Sequence, residues 1–156
     1  MRKLLVPVAA LLLSDALLLI GHGLQFTLLP LRASLEGFTD TQVALTGSAY
    51  FAGFVVGCIL APRTVRRVGH IRSFAVLSSA FSALLLVFPM LPSFLAWLLL
   101  RAFTGVCISG LYMIIESWLN ERATRESRGT ILSVYTVINL TAIIAGQQLV
   151  NLAAPS

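Results

Sequence analysis

The stretch "LLLRAFTGVCISG", residues 98–110, places an arginine inside a run that is otherwise apolar or small. A guanidinium stays protonated at any physiological pH, so Arg101 cannot escape its charge by losing a proton. What the charge does there depends on whether this run crosses a membrane. The rest of the chain answers that question.

The 156 residues are 58% hydrophobic and 11% charged, with a mean hydropathy of +0.92. Soluble domains average about 25% charged residues. A hydrocarbon core about 30 Å thick takes roughly 20 apolar residues as helix, and several windows here are long enough. The expected fold is therefore all-α, a polytopic bundle of five transmembrane helices over about 4–29, 43–61, 73–88, 94–118 and 130–152. Pro30 and Pro62 are expected to end the first two helices. The polar linker 30–42, the basic loop "RTVRRVGHIR", the short "PMLPS" and the charged "NERATRESRG" would join the helices. The opening "MRKLLVPVAALLL" has the basic start of a signal peptide, but the apolar run continues to about Leu29 and contains Asp15. It reads as a first membrane helix that also directs insertion. The chain stops at "NLAAPS" with no closing feature, which is expected of a piece of a longer protein.

A net charge of +5 raises the question of nucleic acid, but the basic residues cluster in short loops between apolar runs. Arg2, Lys3, Arg63, Arg66, Arg67, Arg72, Arg122, Arg125 and Arg128 fall on one side of the expected topology and Arg32 alone on the other. Nine against one places the N-terminus in the cytoplasm, in a plasma or bacterial inner membrane, with the lipid bilayer rather than nucleic acid as partner. Cys58 and Cys107 lie in apolar windows and read as packing residues; nothing has metal-ligand spacing and no cofactor is expected.

Ionisable residues inside a membrane helix cost about 2.5–3.5 kcal/mol each at the centre on insertion scales, and usually face a bundle interior or an aqueous cavity. Two stand out, Asp15 in the first helix and Arg101 in the fourth. At about 1.5 Å per residue, Asp15 lies about 16 Å from the cytoplasmic side and Arg101 about 14 Å from the outer side, so a core of about 30 Å puts them at one level. Three readings stand: a shared polar cavity in which Asp15 accepts protons beside the guanidinium, a purely structural ion pair, or an arginine satisfied by carbonyls and Gln25 with nothing transported. His22 and Gln25 follow Asp15 on roughly one helix stripe and are cavity candidates. Tyr112 is a further candidate, while Asn139, Gln147 and Gln148 are weaker ones. Ser14, Asp15 and His22 supply triad-like residue types, but adjacent residues diverge by about 100° on a helix. "TGSAY" lacks a nucleophile elbow. An enzyme is not expected.

Ala49, Gly53, Gly57 and Ala61 recur every four residues. Small residues at that spacing let helix backbones approach closely, because lipid supplies no hydrophobic drive for association. The stripe serves either packing within this chain or a mobile interface with a second domain.

Three stretches resemble the major facilitator superfamily of secondary transporters. In "RAFTGVCISG", Arg101, Thr104, Gly105, Ser109 and Gly110 follow the order of that family's helix-4 motif. In "RTVRRVGHIR", Arg67, Gly69 and Arg72 fit the signature loop between helices 2 and 3, but Arg66 stands at its acidic position and Pro62 replaces its leading glycine. In "NERATRESRG", Glu121 and Arg128 have the glutamate–arginine spacing found after helix 4. The overall pattern also resembles the YcaD-type bacterial branch of that family.

The resemblance implies twelve helices in two halves, with helices 1 and 4 lining a central cavity, and a small-molecule substrate moved by alternating access. This chain would hold five helices of the first half; the missing C-terminal part of the same transporter would complete it. It implies an influence on proton transfer for Arg101, a cavity position for Thr104, close packing at Gly105, and cytoplasmic gating by Arg67, Gly69, Arg72, Glu116, Glu121 and Arg128. The acid that normally locks the halves has no counterpart in Arg66. The rival reading is a non-transporting membrane protein: a truncated product, a sensor or an oligomerising scaffold.

Overall fold

The computed structural model describes residues 2–153, with side chains for residues 9–152. Arg2 and Lys3, counted above for orientation, have side chains outside the described set, as do residues 154–156 of the terminal "NLAAPS". The elements in order are α1 (Arg2–Leu35), α2 (Asp40–Val68), α3 (His70–Val87), a 3-10 turn (Phe88–Met90), α4 (Phe94–Arg122) and α5 (Arg128–Ala153). No strand occurs among the described residues, and each of the five helices contains a stretch long and apolar enough to cross a membrane. Large apolar side chains stand exposed along every one of them, including Leu17, Val55, Val76, Phe103 and Val137. In a soluble protein such surfaces would aggregate; in lipid they face their natural solvent. The fold is an all-helical membrane bundle.

The helices overrun their expected ends. Pro30 does not stop α1, which continues to Leu35, and Pro62 lies inside α2, which continues to Val68. A proline removes one N–H and leaves one carbonyl without its usual donor, a defect a membrane helix can absorb when neighbouring side chains help. The carbonyl that Pro62 leaves without its N–H is that of Cys58, and the next two carbonyls gain side-chain donors, Arg63 Nη1 to Ile59 (2.9 Å) and Thr64 Oγ1 to Leu60 (3.2 Å).

Glycine does the stopping. Gly37, at φ +80°, closes α1 in a Schellman motif, in which the Phe38 N–H reaches the Ala33 carbonyl (3.0 Å) and the Gly37 N–H that of Ser34 (3.2 Å). Gly69, at φ +85° and ψ 165°, is the single residue between α2 and α3. The expected basic loop is thus almost entirely helical, and Arg66 and Arg67 sit in the last turn of α2, where the helix dipole favours positive charge. Only residues 36–39 of the expected polar linker are non-helical. Thr39 opens α2 with a capping box: its Oγ1 accepts from the Gln42 N–H (3.3 Å), and Gln42 Oε1 accepts from the Thr39 N–H (2.9 Å).

The chain divides into two compact units. One comprises residues 32–118, with α2, α3 and most of α4; the other comprises α1 up to Leu31 and the chain from Leu119 on, with α5. In the first, the backbones of α2 and α4 meet at glycines. A methyl group added to Gly53 would strike the Ala102 carbonyl, one on Gly57 would meet Ser109 Oγ and Val106, and one on Gly105 would strike the Tyr50 carbonyl. Gly110 admits the Leu77 side chain from α3. The end of this unit where α2 and α4 begin is filled by aromatic rings, with Phe38 against Trp97 (5.1 Å between centroids) and Phe88 against Trp97 (5.9 Å). Most of the fully buried side chains belong to α4, among them Trp97, Thr104, Ile108, Ser109, Ile114 and Ile115.

In the other unit, Gly23 of α1 faces the Ile143 carbonyl of α5, and Gly146 of α5 faces the Ile20 carbonyl and the Leu24 N–H of α1. Asp15 of α1 meets Asn139 of α5 and Leu24 of α1 meets Gly146 of α5, so the contacts advance in the same sense and the two helices run in the same direction. Each close pair is reciprocal: a glycine on either helix receives the other's backbone.

Candidate functional site

The polar groups inside the spans fall into two sets, one in each unit. In the unit holding α2–α4, Arg101 is buried (3% exposed). Its guanidinium carbon lies 5.5 Å from the centroid of the Tyr50 ring, also buried, on α2. The close α2–α4 approach at Gly53 and Gly105 brings the two side chains together, and the ring face offers the cation electron density in place of water. Thr104, one turn from Arg101, is fully buried, with its Oγ1 donating to the Leu100 carbonyl of its own helix (2.8 Å). Tyr112 is half-buried, its ring 6.4 Å from that of Phe54.

In the other unit, Asp15 is buried (1% exposed) on α1 and meets Asn139 of α5 (7% exposed). The hydrogen-bonding pattern around the Asn139 amide assigns its nitrogen toward Asp15. In that orientation Nδ2 donates to Asp15 Oδ2 (2.9 Å) and to the Tyr135 carbonyl (3.2 Å), while Oδ1 accepts from the Tyr135 hydroxyl (3.1 Å). Further along α1, His22 is buried with its ring edge-on to Phe26 (6.1 Å). Gln25 is buried too, and neither atom of its amide has a hydrogen-bond partner among the described residues. An amide left so in an apolar setting is costly, by about 1–3 kcal/mol.

The cytoplasmic gating candidates lie at helix ends. Arg67 is exposed in the last turn of α2, Gly69 forms the α2–α3 joint, and Arg72 is exposed in the first turn of α3. Glu116 and Glu121 are exposed near the end of α4, and Arg128 is exposed at the start of α5. His70 Nε2 lies 3.2 Å from Ser117 Oγ, linking the start of α3 to α4. Of the small-residue stripe, Gly53 and Gly57 press on α4 and Ala61 is buried near Gly110, while Ala49 is only half-buried. Packing within this chain therefore accounts for the core of the stripe.

Three residues of these sites carry more than the sequence suggested. Asn139 looked no stronger than Gln147 and Gln148, and neither Tyr135 nor Tyr50 stood out. A signal existed: Tyr135 and Asn139 are four apart on α5 and share a face, and Tyr50 lies on the face of α2 that carries Gly53 and Gly57.

The sequence profile of the Major Facilitator Superfamily matches residues 11–150. Over 145 residues the chain is 31% identical to the uncharacterized MFS-type transporter YcaD of Escherichia coli O139:H28 (strain E24377A / ETEC), covering 93% of this chain and 38% of that protein. The YcaD sequences of E. coli O157:H7 (strain EC4115 / EHEC) and of E. coli strain K12 / DH10B match with the same 31% identity and the same coverage. The chain thus spans 38% of the length of the curated relatives it matches. No solved structure matches it. A family match over nearly the whole chain and five helices fit to cross a bilayer lead to one conclusion: the chain is a multi-pass membrane protein and belongs to the major facilitator superfamily, whose members are transporters.

Proposed function

We propose that the chain is the N-terminal portion of a secondary transporter that moves a small solute by alternating access and couples that movement to protons. The observation that carries this reading is the burial of a carboxylate, Asp15, and a guanidinium, Arg101, within the spans of a chain from a transporter family. Charges at such depth are costly and persist where they serve an ion or substrate path. In this reading Asp15 takes up and releases the coupling proton, Arg101 biases that exchange, and His22, Gln25, Thr104 and Tyr112 contribute to the cavity. The unsatisfied Gln25 amide supports a polar occupant near α1.

The basic helix ends support an inner-membrane protein with its N-terminus in the cytoplasm. Arg67, Arg72, Glu116, Glu121 and Arg128 would then exchange ion pairs there as the transporter changes state, with Gly69 as the joint that lets α2 and α3 pivot. The substrate site of this fold lies between repeats, so the remainder of the transporter completes it.

The test uses the full-length gene product in proteoliposomes, with a panel of solutes and an imposed proton gradient. Wild type is expected to accumulate or expel a solute in response to the gradient, and Asp15→Asn to keep solute exchange while losing gradient-driven accumulation. Normal gradient-driven transport by Asp15→Asn would remove the coupling role.

A further inference from the structure

Asp15 does not lie bare among apolar side chains: Asn139 meets it, and Asn139 is itself held. The Tyr135 hydroxyl donates to Asn139 Oδ1 (3.1 Å), and the Tyr135 carbonyl, which can only accept, lies 3.2 Å from Nδ2. Turning the amide over would set Oδ1 against two acceptor oxygens, the Tyr135 carbonyl and Asp15 Oδ2. Tyr135 therefore decides that Asn139 addresses Asp15 as a donor. All three residues are buried, where a satisfied network is rigid and a broken one is costly.

The backbone beneath this network is equally constrained. Gly23 lies against the Ile143 carbonyl, and Gly146 against the Ile20 carbonyl, with the Leu24 nitrogen 2.9 Å from where a side chain would begin. The α1–α5 separation is therefore fixed within two turns of the Asp15–Asn139 contact.

We propose that Asn139, held in one orientation by Tyr135, is the positioning residue for the Asp15 carboxyl group, so that Oδ1 is the oxygen that gains and releases the proton. The donor from Asn139 Nδ2 takes up Oδ2, which becomes the carbonyl oxygen of the protonated acid. The coupling site is then built by α5 as well as α1, and Tyr135 belongs to it through Asn139. The inference rests on the proton-coupling role proposed for Asp15.

The test is acid-induced difference infrared spectroscopy of the chain reconstituted in lipid vesicles. A carbonyl stretch of a protonated carboxyl group is expected in wild type and absent in Asp15→Asn. Asn139→Leu keeps the number and branching of the side-chain heavy atoms and removes the donor, so the Asp15 band should move to higher wavenumber. Tyr135→Phe removes the hydroxyl that Oδ1 accepts from and leaves the backbone carbonyl of residue 135 as the remaining anchor of the amide, so the more loosely held Nδ2–Oδ2 hydrogen bond should broaden the band. A band that Asp15→Asn removes but that stays in place in both variants overturns the inference and leaves proton exchange at Asp15 standing. Absence of any Asp15-dependent band overturns both. Should Asn139→Leu lose its wild-type helicity, Tyr135→Phe decides alone.

Discussion

Gly53 and Gly47 sit on the same helix, and the same substitution should act on them in different ways. In α2, nothing lies within 4 Å of where a Gly47 side chain would begin. Gly47→Ala therefore changes only the backbone's conformational freedom and should stabilise the helix by about 0.5–1 kcal/mol. Gly53→Ala has the same gain, but its methyl would strike the Ala102 carbonyl oxygen and stand 2.6 Å from the Ala102 carbonyl carbon and 2.8 Å from its Cα. Ordinary carbon–carbon contact is about 3.5–4.0 Å, so α2 and α4 must separate by about 1 Å. A gap of that size forfeits about a quarter to a half of the dispersion energy at each neighbouring contact, including Gly57 on Val106 and Gly105 on Phe54. Overpacking of this kind costs about 1–3 kcal/mol. Because the backbone gain cancels between the two variants, their difference in stability is this steric cost alone, about 1–3 kcal/mol. Unfolding of both purified variants in mixed micelles, followed by helicity against denaturing detergent, measures it. Equal stabilities would refute the close α2–α4 contact.

Further outcomes follow from the joints and the ring contact. Gly69→Ala places a Cβ in a backbone region open essentially to glycine alone, with no atom within 4 Å to clash, so the cost is conformational only, about 1–3 kcal/mol, read by the same unfolding assay. Tyr50→Phe keeps a ring beneath the Arg101 guanidinium and should leave stability within about 1 kcal/mol of wild type, while Tyr50→Leu removes the ring face and should cost about 0.5–2 kcal/mol more. If the stability difference between Tyr50→Phe and Tyr50→Leu is the same in the Arg101 and Arg101→Leu backgrounds, the contact contributes packing and no cation–ring attraction. The coupling role of Asp15 and the positioning role of Asn139 carry their own tests above.

The membrane class, the helix count and the family were legible in the sequence because each depends on a sum over many residues. Twenty apolar positions outweigh any single exception, and the helix-4 motif around Arg101 keeps its order regardless of what packs on it. Helix ends were less legible. Proline looked like the stronger punctuation, yet the helices run through Pro30 and Pro62 and stop at Gly37 and Gly69, because a proline keeps a helical φ and costs one hydrogen bond, whereas a positive φ breaks the helical path and glycine adopts it without steric penalty. The depth argument identified Asp15 and Arg101 as buried charges one helix at a time; which groups surround them was beyond its reach.

What the sequence determines by itself is whatever a helix can express alone: its length, its apolar surface and the residues that do not belong in lipid. It also marks the small residues at which another backbone can come close. Which backbone comes is a tertiary matter. The structure sets Gly53 and Gly57 against α4, pairs Gly23 with Ile143 and Gly146 with Ile20, and thereby brings Tyr50 to Arg101 and Asn139 to Asp15. These partners stand far apart in the chain, and their meeting depends on helix rotation and separation within about an ångström, quantities that no periodicity along a single helix encodes.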